Sequence, residues 1–301
     1  MPFFSVVTSV YNAEKFIEEA LNSVKEQTLS DYEYVMIDNG STDASNSIIQ
    51  RFMKENPAIN IRLYRLEDNA GISGGRNKGI ELAAGRFICF LDADDYWYPD
   101  KLYTVRKYID ANPEHKIFCH WEDHIKGASQ TVGKYRQLDN TRPYEELLFG
   151  GNCFSTSAMT IESSLIKGIG GFDTSLVSGE EDYDCWLRLT KTGATCCMIE
   201  KALGTWRIRE DSVSAKHIAH AEAVVAMLKK HFEAYAKETN QAADVKKRMN
   251  HVIAMIYCGC ARELSLSKNR GDAIGIYKRA IQYDKGYIKA YAGIVMHFLK
   301  I

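Results

Sequence analysis

Three aspartates, Asp92, Asp94 and Asp95, follow directly on the apolar run Phe87-Ile88-Cys89-Phe90-Leu91. Two carboxylates one residue apart can share a hard divalent cation or its water shell, with substrate phosphates completing the coordination. An apolar strand that ends in acids delivers them to the edge of a sheet, and in open α/β sheets ligands bind outside the carboxyl ends of the strands. Helix capping competes with this reading, since Asp is a favoured N-cap and Pro99 would suit a first turn. Capping stays open for Asp95 and Asp100. Asp92 and Asp94 precede Tyr96-Trp97-Tyr98 and lie too far from Pro99 for it.

Two further groups could take part in the same chemistry. Asn69 to Gly79 is a glycine-rich turn entering a helix, where backbone amides can approach an anion and Arg76 and Lys78 add positive charge. It is neither a Walker A loop nor a dinucleotide fingerprint, and alone it is a weak signal. Gly179-Glu180-Glu181-Asp182-Tyr183-Asp184 opens a helix with the apolar face Trp186, Leu187 and Leu189. Acids in a first turn are the ordinary partners of a helix dipole, and taken alone that reading outweighs catalysis.

These groups need a scaffold. Phe4 to Val10 reads as a buried parallel strand, and Phe16, Ile17, Ala20, Leu21 and Val24 recur at helical spacing over 13–27. A second strand, 34–37, ends in the turn formers Asp38 to Asp43, and Ile48, Ile49 and Phe52 mark the next helix. A third strand spans 61–65. Strand and helix alternate over the first hundred residues, which predicts an α/β fold with a doubly wound, mostly parallel sheet flanked by helices. Beyond it, 117–121, 154–161 and 205–209 read as strands, the last ending in Glu210-Asp211-Ser212. His120, Trp121, Glu122 and His124 are expected near the crevice, although a core tryptophan is at least as good a reading of Trp121. From Ala219 onward only helical periodicity remains, broken at Gly271-Asp272. The expected domains are 1–214, with halves 1–100 and 101–214, and an all-α extension, 215–301.

Composition sets limits. At 301 residues, 46% hydrophobic and 26% charged, the chain has the make-up of a globular protein. No apolar run approaches the roughly 18 residues of a membrane span. Met1 to Val7 reads as the first strand and not as a signal peptide, so the expected location is cytoplasmic. The eight cysteines lack zinc-site spacing and read as reduced thiols. From Lys216 on there are 15 Lys and Arg against 7 Asp and Glu, and before it 23 against 32. An acidic body without an interleaved basic and aromatic groove argues against nucleic acid.

With Val6–Asn12, Asp38–Asp43, Asn69–Asn77, Asp92–Asp95 and Gly179–Arg188 in this order, the chain resembles the inverting family 2 glycosyltransferases of GT-A fold, from about Phe4 to Ser214. The resemblance implies a hexosyltransferase using a nucleoside diphosphate sugar, UDP-hexose or UDP-N-acetylhexosamine, and a glycan or lipid-linked glycan acceptor, as in bacterial-type surface polysaccharide, lipopolysaccharide or glycoprotein glycan assembly. It puts Thr8, Ser9, Tyr11 and Glu14 at the nucleobase and ribose, and Asp38 and Asn39 at the pyrimidine edge. Asn39 replaces the family's second aspartate; its amide can still read uracil or thymine, and UDP and dTDP remain alternatives. Arg76 falls on the arginine that braces the diphosphate and the aspartates, and Gly71 within the nucleotide-sugar site. Asp92-Ala93-Asp94 is the D-x-D, with Asp94 and Asp92 at a Mg or Mn ion, and Asp182 falls on the catalytic base. Arg209 stands where many members have a histidine and is assigned to the leaving diphosphate. Trp121, Gly171, Phe172 and Glu181 are assigned to the acceptor or donor sugar.

Two other functions compete. A nucleotidyltransferase also holds metal on phosphates with paired aspartates, but it wants a basic loop after the first strand, where this chain has Tyr11-Asn12-Ala13-Glu14. A non-catalytic sugar-nucleotide-binding protein is the other. In the tail, Lys229-Lys230-His231 and Lys246-Lys247-Arg248 lie beside Val224, Val225, Met227, Leu228 and Phe232. Such helices read either as a peripheral contact with the inner face of an anionic membrane or, slightly favoured, as an apolar stripe packed against the catalytic domain with its charges solvated. Oligomeric state is left open.

Overall fold

The structure, a computed structural model, describes residues 1–209, 212–266 and 270–299; Glu210 and Asp211, where the sequence reading ends its last strand, lie outside them. The chain forms two units. The first comprises Met1–Tyr144, Cys153–Val177 and Glu181–Arg209, and the second Glu145–Asn152, Ser178–Glu180 and the described residues after Arg209.

The first unit is built on one eight-stranded sheet. Its strands are β1 (Phe4–Val10), β2 (Tyr32–Asp38), β3 (Ile61–Arg65), β4 (Phe87–Phe90), β5 (Ile117–Lys126), β6 (Ser129–Gly133), β7 (Met159–Glu162) and β8 (Cys196–Arg207). They lie in the order β3-β2-β1-β4-β7-β5-β6, with β8 paired to β5. β1, β2, β3 and β4 are mutually parallel and β5 is parallel to β8, whereas β7 runs antiparallel to β4 and β5. The chain winds outward from β1 through β2 to β3 and then crosses to β4 on the other side. β1 and β4 therefore flank a topological switch point, where strand carboxyl ends open a crevice.

The helices before β8 are α1 (Ile17–Lys25), α2 (Ser45–Glu55), α3 (Gly71–Leu82), α4 (Lys101–Ala111), α5 (Pro143–Gly150), α6 (Ser163–Gly168) and α7 (Glu181–Lys191), of which α5 belongs from Glu145 on to the second unit. α1, α2 and α4 bury Ile17, Leu21, Val24, Ile49, Phe52, Leu102 and Val105 against Phe4, Val6, Tyr34 and Met36 of the sheet. Ile17, Leu21 and Val24 keep no exposed surface, a burial worth about 1.5–3 kcal/mol for each side chain. α3 covers the opposite face at close range. A Cβ on Gly79 would lie 2.3 Å from Val7 Cγ1 and one on Gly75 2.0 Å from Ser9 Oγ, so only glycine lets this helix descend onto β1.

Several expectations change. The strand expected at 117–121 runs on to Lys126 and turns back as β6, forming a hairpin. The stretch read as a strand from Phe154 is a 3₁₀ turn at Thr156–Ala158 followed by the short β7. The final strand begins at Cys196 and not at Thr205.

The second unit packs α8 (His217–Thr239), α9 (Ala242–Leu266), α10 (Ala273–Tyr283) and α11 (Ile288–Leu299) around Val225, Ile253, Tyr257, Ala261, Tyr277 and Ala280. Asn240, with φ of +55°, makes the left-handed turn that ends α8. Val224, Val225, Met227, Leu228 and Phe232 are all buried within the protein. That stripe is not a face with which a membrane could be met. No helix among the described residues is long and apolar enough to cross a membrane.

Candidate active site

β4 ends at Phe90, Leu91 N donates to Val7 O, and the chain then leaves the sheet in a turn closed by Asp95 N and Asp92 O. Asp95 is buried. Its Oδ2 accepts the Ser157 hydroxyl at 2.6 Å and its Oδ1 the Arg207 backbone N–H at 2.8 Å, while Ser157 Oγ in turn accepts the Asp92 N–H at 3.1 Å. Asp95 therefore does not cap a helix; it pins the turn from beneath. Asp100 does precede α4, but its side chain makes no capping bond and pairs with Lys201. With Asp95 held below, Asp92 and Asp94 project outward, their side chains 33% and 28% exposed.

The turn concentrates negative charge. Burial and the neighbouring Asp92 raise Asp94 above the ordinary carboxylate range, and Arg209, whose guanidinium donates to Asp94 Oδ2 at 3.0 Å, opposes that shift. Burial, then Asp94 and Glu122, push Asp95 well above it. Glu122 and His120 do not face the crevice: both are completely buried on β5. Burial drives Glu122 up to about 7 and His120 down to about 3. Lys101, equally buried, lies 3.6 Å from the centroid of the Trp97 ring. Trp121 is half-buried, with its indole N–H on Tyr135 O.

Arg76 joins the two acidic groups. It is only 3% exposed, and its guanidinium donates to Asp92 Oδ1 at 2.8 Å and to Glu181 Oε1 at 3.0 Å. Phe172 lies beneath it, 5.3 Å from guanidinium carbon to ring centroid, wedged edge-on between Phe90 and Trp186. Phe172 is thus buried, and Gly171 before it takes φ of +71°. Asn77 holds this corner with both amide atoms on the Phe172 backbone. Glu181, the first residue of α7, is turned into the Arg76 pair, and Asp182 follows it. Burial and the Glu181 charge raise Asp182 to about 7 against the pull of Arg76.

Around the ends of β1 and β2 the assigned residues divide. Thr8 is completely buried with its hydroxyl on Tyr34 OH, Ser9 faces Gly75, and Tyr11 and Glu14 are exposed. Glu14 accepts the Ala44 N–H. Asp38 is buried, accepting from Ser41 N and Asn46 Nδ2. Asn39 donates to Asn69 Oδ1 and Gly71 O and accepts from Ala70 N, which ties the strand end to the glycine-rich turn. Gly71 itself takes φ of +74°. Ser157 is the polar partner that motif reading did not assign to the site; it is one hydroxyl among Ser155, Thr156 and Thr160, and only the fold shows which of them faces Asp95.

Comparison with known proteins fits this geometry. A model of glycosyl transferase family 2 matches residues 5–165, more than half of the chain. TuaG of Bacillus subtilis, named for teichuronic acid biosynthesis, is 28% identical over 227 residues, covering 71% of this chain and 82% of TuaG. Staphylococcus aureus TarS, solved with UDP-GlcNAc, superposes with a TM-score of 0.67 at 19% identity, over 93% of this chain and 81% of that one. Mannosyltransferase PcManGT from Pyrobaculum calidifontis, solved with GDP-Man and Mn²⁺, superposes with a TM-score of 0.62 at 19% identity, over 99% and 87%. At such identities the structures speak for the fold, and the family match displaces the nucleotidyltransferase alternative. The chain belongs to glycosyl transferase family 2 and is a glycosyltransferase built on the GT-A fold.

Proposed function

We propose that this glycosyltransferase moves a hexose or N-acetylhexosamine from a UDP-sugar to a hydroxyl of a glycan acceptor in surface polysaccharide assembly, with inversion and with a divalent cation. The observation that carries the reading is the buried Arg76 bridge. It ties Asp92 of the D-x-D turn to Glu181, so that Asp182, the next residue, belongs to the same crevice edge although it lies ninety positions away in sequence. The UDP-GlcNAc bound by TarS and the teichuronic acid role for which TuaG is named support the donor and acceptor classes.

Asp92 and Asp94 fit a Mg or Mn ion. They are the exposed pair of the turn, they offer hard oxygen donors, and Asp94 is raised by burial and then by the charge of Asp92, a repulsion that a dication relieves. Among the described residues no three His, Cys, Asp or Glu side chains form a ready cage. Substrate phosphates would therefore supply the remaining ligands, as is usual for Mg²⁺. When bound, the ion would screen the charge that builds on the leaving diphosphate. Asp182, near 7, takes the proton of the incoming hydroxyl as its oxygen forms the bond to the anomeric carbon. The bond from that carbon to the phosphate oxygen breaks on the opposite face, and UDP leaves with the electron pair. Arg209 exchanges its hold on Asp94 for the departing phosphate.

UDP release from UDP-sugars, with and without Mn²⁺ or Mg²⁺, tests the reading. Asp182→Asn should lower transfer about 10²–10⁴-fold while UDP binding by calorimetry persists. Silence across UDP-sugars in the parent protein, or loss of UDP binding together with folding in the variant, overturns it.

A further inference from the structure

Beside the crevice the first unit carries an open furrow that meets the catalytic residues only at its inner end, through Arg209. One stretch of about 510 Å³ runs between the outer row of α1 and the segment after the D-x-D turn, with Glu18, Glu19, Asn22 and Glu26 on one wall and Tyr96 and Tyr98 on the other. A second stretch of about 440 Å³ shares Glu19 and Tyr96 and continues to Arg207 and Arg209. Arg209 is bonded to Asp94, so the inner end of the furrow reaches the D-x-D turn.

The walls are preformed. Gln27 Nε2 donates to Tyr98 O, Thr28 N to Pro99 O and Tyr98 N to Leu203 O, so the segment that follows α1, the tyrosine segment and β8 are stitched together at the Tyr98 end. Tyr98 OH is held by Asp123 Oδ2, and the two tyrosine rings meet edge to face, 6.3 Å apart. Half-buried tyrosines opposite carboxylates and an amide suit a ligand with apolar C–H faces and many hydroxyl donors. An open, elongated shape suits a chain more than a compact small molecule. Charge narrows the choice. No Lys or Arg lines the outer stretch; of its three glutamates Glu18 pairs with Arg51 and Glu19 with Arg207 further in, which leaves Glu26 to set the sign of the wall. Phosphate or uronate groups along a polymer would meet like charge there.

We propose that this furrow binds the acceptor and that the acceptor segment lying in it is an uncharged oligosaccharide, its growing end reaching the crevice past Arg207 and Arg209. The inference rests on the donor and acceptor reading above and adds the chemistry of the acceptor.

Saturation-transfer NMR on the full chain tests it, with chitohexaose, maltohexaose and cellohexaose as neutral probes and hexagalacturonate as the anionic one. At least one neutral probe should bind, hexagalacturonate should bind at least tenfold more weakly, and Tyr96→Ala should weaken neutral binding tenfold or more with UDP affinity unchanged. If Tyr96→Ala does not fold, Asn22→Trp, which fills the furrow from the α1 wall, should do the same. Absence of binding by all neutral probes, preference for hexagalacturonate, or binding indifferent to the folded variants overturns the proposal. UDP-sugar hydrolysis in the same samples keeps the two readings apart. Hydrolysis without oligosaccharide binding removes the furrow alone, and furrow-dependent binding without hydrolysis removes the donor reading.

Discussion

Replacing Arg76 by methionine tests the joint on which the site depends. The methionine keeps most of the apolar stem but leaves Glu181, 4% exposed, as a charge with no partner, and Glu181 Oε2 already lacks a hydrogen bond in the parent. Removing one member of a buried ion pair costs about 3–5 kcal/mol. Asp92 is a third exposed and can be hydrated in compensation, so its share is at most about 1 kcal/mol. The expected loss is therefore about 4 kcal/mol, nearly all of it from stranding Glu181. With a urea slope of roughly 2 kcal/mol per molar, that moves the midpoint down by about 2 M. Trp97, Trp121, Trp186 and Trp206 all belong to the first unit, so tryptophan fluorescence reports its unfolding. Adding Glu181→Gln should restore stability to within about 1 kcal/mol of the parent, because the stranded charge is then gone. Activity should stay lost in the double variant, since Asp92 has lost its brace. A loss below 1 kcal/mol for Arg76→Met, or a double variant no more stable than the single one, refutes the reasoning.

Asp182, raised to about 7, should give kcat/KM for the acceptor that climbs with pH to a plateau above about 7, and Asp182→Asn should flatten the profile. The same shift bears on stability: between its usual 3.8 and about 7 the folded chain holds a proton that the unfolded chain has lost, so stability falls as pH rises through that window. Melting temperatures of parent and Asp182→Asn between pH 4 and 8 should show the variant losing less. Asp95→Ala strands the Arg207 N–H and the Ser157 hydroxyl, which should cost about 1–3 kcal/mol in urea and raise the Mn²⁺ concentration for half-maximal UDP-sugar binding; unchanged Mn²⁺ dependence would show that the turn needs no pin. Gly75→Ala drives a Cβ into Ser9 Oγ and should cost about 1–3 kcal/mol and weaken UDP binding, with part of both recovered by adding Ser9→Gly.

What was legible in the sequence and what was not follow one physical division. Short apolar runs ending in polar residues report themselves, because a parallel strand buried on both faces must be apolar throughout and its polar tip must lie at the sheet edge; β1, β2 and β4 were readable on that ground, whereas the edge strand β3, with no buried residue, shows only the alternation of Ile61 and Leu63. β6 is Ser129–Gly133, exposed and polar, and carries no such signal. The first half of β8 is obscured by Glu200 and Lys201, and register shifts near Trp121 disturb the alternation of β5 where β8 pairs with it. Asp92, Asp94 and Asp95 are chemically identical in the sequence, yet one is a buried pin and two project. The difference comes from Ser157, 62 residues on, and from the Arg207 amide, 112 residues on. Arg76 reads locally as a cation in a glycine-rich turn facing an anion. The fold instead buries it against a carboxylate 105 residues away. Phe172 reads as a pocket wall and proves to be the floor under Arg76. A motif can therefore name the atoms able to do chemistry, whereas which of them stay available is set by partners that only the closed sheet brings near.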